Sequence, residues 1–205
     1  MNGPIQRVAG LVLAAGASTR MGGRLKQLLP VDGKPLVAHV LEAALDSRLD
    51  SVALVLGHRA QEIRKALGDT IRVPKLRVIE NRAYRQGIST SIAAGLAETA
   101  DSYDHVMILL ADMPYITAGL IDQLISEYLA SGAALGAVSI KGRRAHPVIF
   151  GRALYDDLRK LKGDVGAREL FSIYEGRVCL VEVGDSFNDR DIDTPEDYNI
   201  FINGP

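Results

Sequence analysis

Tryptophan is absent from this 205-residue sequence, and Phe and Tyr bring the aromatic content to only 5%. That leaves too few flat side chains for a platform on which single-stranded bases would stack. There is no charge excess either: 24 basic side chains face 25 acidic ones. Without a bulk cationic field, nucleic acid is not an expected partner. Cysteine occurs once, as Cys179 inside "VCLVEV". One thiol builds no disulfide framework, zinc knuckle or iron–sulfur site, and the expectation is a small buried strand residue in a reducing cytoplasm. No apolar run approaches the roughly 20 residues of a membrane span. The short run "VAGLVLAAGA" after Arg7 has the look of a secretion signal, but a loop leading into a helix follows it rather than a polar mature terminus. What is present, 47% hydrophobic and 24% charged side chains with frequent glycine, fits a globular α/β enzyme with a sizeable core.

Apolar runs and helical periodicities alternate along the chain. Strands are expected at 8–14, 51–57, 76–80 and 105–112, the last stopped by Pro114. Between them, helices are expected at 34–45 (with Leu36, Val40, Leu41 and Ala44 on one face), 60–67 (ended by Gly68) and 91–100. A further helix at 117–129 has Thr117 as N-cap. The second part reads as strands at 135–140 and 146–150 around the basic turn "KGRR", helices near 151–161 and 166–174, a strand at 177–183 and a last helix after "DIDTPEDY". Repeated β-loop-α units predict a three-layer αβα architecture with a mostly parallel, Rossmann-like, doubly wound sheet and a small mixed extension. Ligands then belong at the carboxyl ends of the strands.

The first such end carries "GLVLAAGASTRMGGRLKQLLP". A Walker A loop fails here, because the residue five after Gly16 is Met21 and not glycine. The G-x-G-x-x-G fingerprint fails as well, because Ser18 stands two after Gly16. A plain βα connection stays open; it would explain the glycines but not Arg20 and Lys26. A phosphate-cradling loop explains both: Gly16, Gly22 and Gly23 let backbone N–H groups converge on an anion, Ser18 and Thr19 donate, and Arg20 and Lys26 neutralise charge.

"LAAGASTRMG" with "KQLLP" and "GKPL" resembles the signature of the nucleotidyltransferases that attach a nucleotide to molybdenum cofactor, within the glycosyltransferase-A-like superfamily. "NRAYRQGISTSIAAGL", "LLADMP", "GRRAHPVIF", "GDVGAREL" and "DIDTPEDY" continue the resemblance in order, the third and fourth of these with the cytidylyl branch. The resemblance implies NMP transfer from an NTP to a phosphate-bearing acceptor, with pyrophosphate released and Mg²⁺ required. It implies a single domain over 1–205, with a nucleotide-binding half (1–115) and an acceptor-binding half (116–205). CTP, or alternatively GTP, and a molybdopterin-type acceptor would be the partners, with transient contact to a molybdoenzyme.

Asp112 ends the fourth strand where Pro114 turns the chain away, so its carboxylate is expected in the crevice as a metal ligand. Thr117 is free to cap the following helix, which leaves Asp112 without that duty. In "DIDTPED", Thr194 suits N-cap, Pro195 N1, and Glu196 and Asp197 the first turn. Asp193 is thereby spare, and the resemblance makes it the second metal ligand; Asp191, two residues earlier on the same side, is the alternate. Arg20, Lys26 and Asp112 would be catalytic. Leu13, Ala14, Ala15, Gly16, Ser18, Arg20, Met21, Gly22, Lys26, Asn81, Gly87, Ser89 and Ser91 would bind the nucleotide. Arg143, Arg144, His146, Asp164 and Arg168 would bind the acceptor, and a structural role for His146 stays open. His39, His58 and His105 read as structural or surface residues. Guanylyl relatives carry glycine where Ala15 stands, and a methyl at this turn would narrow the slot toward a pyrimidine. Two other activities stay open: a different transfer or redox reaction on the same fold, and a maturation chaperone that binds cofactor without catalysis.

Overall fold

The computed structural model describes residues 6–184 and 187–203. Among these, seven strands form one sheet: β1 (Val8–Ala14), β2 (Ser51–Leu56), β3 (Leu76–Glu80), β4 (His105–Leu110), β5 (Leu135–Ile140), β6 (Arg143–Gly151) and β7 (Val178–Glu182). Their spatial order is β3-β2-β1-β4-β6-β5-β7. The first four are parallel neighbours. β6 runs antiparallel between β4 and β5, and β7 pairs parallel with β5. The mostly parallel sheet with a mixed extension is therefore what the alternating pattern predicted. Among the described residues no helix is long and apolar enough to cross a membrane.

β1 is buried along its whole length, as a central strand covered on both faces must be. Its side chains alternate between two cores. Val8, Val12 and Ala14 pack with α1 (Leu36–Asp46), α2 (Ala60–Leu67) and α4 (Ala118–Ser131). Ala9, Leu11 and Leu13 pack with α3 (Ile88–Thr99), α5 (Tyr155–Lys160) and α6 (Arg168–Ile173). A third, smaller cluster joins Met21, Leu29, Val31 and Leu36 to Ile192, with Tyr198 and Phe201 of α7 (Pro195–Asn203) against it. That cluster anchors the carboxyl-terminal segment beside the loop that follows β1.

Several boundaries differ from expectation. α1 begins at Leu36, because Lys34–Pro35 pairs with Pro30–Val31 as a two-residue ribbon. α3 begins at Ile88 rather than at residue 91, because Ser89 and Thr90 turn inward instead of forming a solvated approach: Ser89 is buried, and Thr90 Oγ1 donates to the Gly87 carbonyl at 2.9 Å. β6 begins at Arg143, since the polar half of "RRAHPVIF" pairs with the end of β5. The ladder skips from Ala137↔Val148 to Val138↔Ala145, so a bulge leaves His146 and Pro147 outside it and re-aims His146. Cys179 is only half-buried, since β7 lies at the sheet edge.

Candidate active site

The loop after β1 is held by its own polar side chains. Ser18 sits at φ 53°. Its hydroxyl accepts from the Lys26 backbone N–H at 3.0 Å and donates to Gln27 Oε1 at 3.1 Å. Gln27 Nε2 in turn donates to the Gly16 carbonyl at 3.2 Å. Met21, 1% exposed, plugs the third cluster, while Gly22 and Gly23 turn the tip at φ 59° and 85°. Both glycines face open space, so positive φ is what they supply.

The strand order reverses between β1 and β4, and a cleft of about 520 Å³ opens at their carboxyl ends, where doubly wound sheets place ligands. Leu13, Ala15, Gly16, Ser18 and Arg20 line it from the first loop. Lys26, Gly87, Ser91, Asp112 and Asp193, also expected, line it too. The Ile192 N–H donates to the Asp112 carbonyl at 3.1 Å, clipping "DID" to the end of β4. α7 then begins with a reciprocal cap: the Asp197 N–H donates to Thr194 Oγ1 at 3.1 Å, and the Thr194 N–H to Asp197 Oδ2 at 2.8 Å. Thr194 therefore caps, and Asp193 is left for the cleft.

One oxygen each of Asp112, Asp191 and Asp193 lies within 4.8 Å of the others. The Lys26 ammonium bridges two of these carboxylates, bonding Asp112 Oδ2 and, at 2.7 Å, Asp193 Oδ1. Arg20 reaches Asp193 Oδ2 at 2.6 Å. Burial pulls the Lys26 pKa down, but the attraction of Asp112 and then of Asp193 outweighs it, and the ammonium is held above its ordinary value. Asp191 is exposed overall, yet partial desolvation of its carboxyl, followed by repulsion from Asp193 and Asp112, raises its pKa. Asp112 Oδ1 is buried without a hydrogen-bond partner. Three hard oxygen donors, with an orphaned buried carboxylate oxygen on one of the same residues, fit a divalent cation.

A second cavity of about 430 Å³ adjoins the first and shares Ile88, Leu110 and Asp164 with it. Arg144, His146, Asp164 and Arg168 line it above an apolar floor that includes Ile108 and Val148. The Arg144 guanidinium stacks on Phe171, 4.2 Å from the ring centroid. Desolvation, then repulsion from Arg168, lowers its pKa. Among the described residues neither arginine has an ion-pair partner. Burial holds His146 below its ordinary value, so the ring is neutral at pH 7, and its Nδ1 is buried without a partner.

The partition between the cavities is tight. The Ser89 N–H donates to the Gly163 carbonyl at 3.2 Å, and the Ile88 N–H to Asp164 Oδ1 at 3.1 Å. Asp164 thus satisfies one of the free N–H groups at the start of α3.

Some expected residues lie elsewhere. Arg143 is 63% exposed and forms a two-pronged pair with Asp189 at 2.8 and 3.0 Å, away from the second cavity. Ala14, Met21, Gly22, Asn81 and Ser89 do not line the first cleft. Asn81 instead supports it from behind, donating to Thr90 Oγ1 at 2.8 Å and to Ser91 Oγ at 3.0 Å. His39, His58 and His105 are tied locally to Val31 O, Tyr84 OH and Tyr128 OH at 2.9, 3.2 and 3.0 Å. Sequence reasoning passed over Gln27, a lone amide among leucines in "LKQLLP", and Phe171, whose partner Arg144 is remote in the chain.

The sequence profile of the MobA-like NTP transferase domain matches residues 10–178. Over 201 residues the chain is 33% identical to the purine catabolism protein PucB of Bacillus subtilis (strain 168), spanning 93% of this chain and 94% of that one. It is 29% identical over 195 residues to the nicotine blue oxidoreductase of Paenarthrobacter nicotinovorans, spanning 92% and 93%. Among solved structures, a homologue of Mycobacterium tuberculosis Rv0371c from Mycobacterium sp. strain JC1 superposes with a TM-score of 0.81 at 29% identity, covering 97% of this chain and 96% of that one.

Proposed function

The chain belongs to the MobA-like NTP transferase family and is a nucleotidyltransferase, and from that premise we propose that it transfers CMP from CTP to a molybdopterin-type acceptor with release of pyrophosphate. The observation that carries this reading is the pair of adjoining cavities. One brings two cations together with clustered carboxylates; the other sets two guanidiniums, without ion-pair partners among the described residues, over an apolar floor. The first suits a metal–triphosphate and the second a flat organic molecule carrying a phosphate.

The reaction is an in-line displacement. An acceptor phosphate oxygen attacks the α-phosphorus, a P–O–P bond forms, and the bond to the leaving pyrophosphate breaks. Arg20, Lys26 and the N–H groups of the loop after β1 hold the phosphates, so that the attacking and leaving oxygens are aligned. Arg144 and Arg168 hold the acceptor's phosphate near Asp164, at the partition. His146, neutral, offers a hydrogen bond rather than a charge. Mg²⁺ held by Asp112 and Asp193, with Asp191 as a further oxygen donor, would neutralise charge developing on the triphosphate.

Ala15 lines the cleft and is 4% exposed. A Cβ on Gly57 would come within 2.8 Å of its methyl group, so the methyl packs closely against the end of β2. This supports a pyrimidine slot and CTP over GTP. The test is pyrophosphate release across the four NTPs, with and without molybdopterin. CTP- and molybdopterin-dependent release is expected. Best release with GTP would overturn the base assignment. No release with any NTP, together with turnover of a nicotinamide cofactor, would move the protein to the redox chemistry that one relative's name carries.

A further inference from the structure

Lys26 does something that phosphate binding alone does not require. Its side chain is only 14% exposed, and its ammonium spans Asp112 Oδ2 and Asp193 Oδ1. Those two carboxylates come from the middle and the end of the chain, and the position between them is where a cation shared by both must sit. Arg20 takes the remaining oxygen of Asp193. Three carboxylates against these two cations leave a formal charge of −1. A divalent ion could engage Asp112 and Asp193 together only after the ammonium has moved. A buried ammonium deprived of its carboxylates is costly unless another anion receives it. Of the other carboxylates nearby among the described residues, Asp164 is already engaged with the Ile88 N–H, and Asp191 belongs to the same cluster that the cation would draw on. A triphosphate arriving in the cleft supplies that anion.

We propose that Lys26 is the internal counter-ion of the acidic centre, competing with the divalent cation for Asp112 and Asp193, so that metal and nucleotide enter together rather than metal first. The proposal rests on the metal–nucleotide reading of this cleft. Binding of the two is coupled, and the coupling is reciprocal. Nucleotide gives Lys26 a new partner and frees the carboxylates, and metal frees Lys26 for the phosphates. Arg20, 67% exposed, yields more easily and contributes less.

The prediction has a sign opposite to simple loss of function. Lys26→Met removes the competing charge and keeps an unbranched side chain one atom shorter. Binding of Mn²⁺ alone, followed by the loss of its free-ion EPR signal on titration, tightens by about tenfold or more over the unaltered protein, within the ~5–150-fold range of such couplings. The non-hydrolysable CTP analogue with a methylene bridge between the α- and β-phosphates then tightens Mn²⁺ binding strongly in the unaltered protein and little in the variant. Lys26→Gln serves if Lys26→Met does not fold. Mn²⁺ binding that is unchanged or weaker in both variants, and lost in Asp112→Asn, would leave the carboxylate site standing and overturn the competition. Full retention of Mn²⁺ binding in Asp112→Asn would overturn the metal reading itself, and the counter-ion role with it.

Discussion

Replacing Gly87 with alanine tests how tightly the partition between the two cavities is built. Gly87 adopts φ 107°, ψ 169°, a region reached almost only by glycine, and a side chain there costs about 1–3 kcal/mol. The added methyl would lie 2.2 Å from the carbonyl carbon of Gly163 and 2.4 Å from its oxygen. Because the clash is with backbone and not with the end of a flexible side chain, overpacking adds about 1–3 kcal/mol. The sum, roughly 2–6 kcal/mol, corresponds to a fall in Tm of about 5–20 °C for a chain of this size. Gly163→Ala is the matched control. It also has positive φ, 62°, but its methyl would meet nothing within 4 Å, so only the conformational cost of about 1–2 kcal/mol applies. Urea unfolding and thermal melts of both variants measure the difference. Equal losses in the two would refute the argument, because the backbone clash is what separates them. In Gly87→Ala protein that remains folded, the spreading partition raises KM for both nucleotide and acceptor.

Replacing Arg168 or Arg144 by glutamine weakens acceptor binding by about 1.5–3 kcal/mol, the usual worth of a charge-assisted hydrogen bond, and leaves KM for the nucleotide unchanged; steady-state kinetics with each substrate varied separately resolves the two. Arg143→Gln, whose side chain is engaged with Asp189 outside the cavity, leaves acceptor KM within experimental scatter. Ala15→Gly opens the slot after β1, and competition between CTP and GTP shifts toward GTP; an unchanged ratio would remove Ala15 from base selection. A further prediction concerns pH. His105 and His146 have pKa values lowered chiefly by burial, partly offset by Asp104 and Asp112, so the unfolded chain takes up protons before the folded one. Their contribution is present above the unfolded value of about 6.5 and is lost as pH falls below it, by up to ~1.4 kcal/mol per pH unit for each histidine. Urea unfolding at pH 7.5, 6.5 and 5.5 measures that slope, and His105→Gln flattens it.

The local elements were legible where one physical signal was strong. Val8–Ala14, Leu76–Glu80 and Leu135–Ile140 are strands with the expected bounds, since apolar runs bordered by glycine or polar residues leave little choice of register. Ala60–Leu67 ends at Gly68 as read, with φ 54°. Thr117 and Thr194 cap as predicted, because a hydroxyl next to a helix start has an N–H group to satisfy. The sequence pattern failed where polar groups found remote partners. The hydroxyls of "STS" look like a loop but turn inward on Asn81 and the Gly87 carbonyl. Arg143 looks like its neighbour Arg144, yet an aspartate 46 positions away holds it outside the cavity.

Residue order alone carried the alternation of β and α, the exclusion of the Walker and dinucleotide loops, and the resemblance that named a nucleotidyltransferase family. All of these depend on neighbours a few residues apart, through periodicity, capping and turn chemistry. The bond of Lys26 to Asp112 and Asp193, across 86 and 167 positions, came only with the packed chain. So did the closeness of Gly87 to Gly163 and the separation of Arg143 from Arg144. Each of these rests on which sheet edge or loop meets which, and that is set by burial of the two faces of one sheet rather than by any local preference.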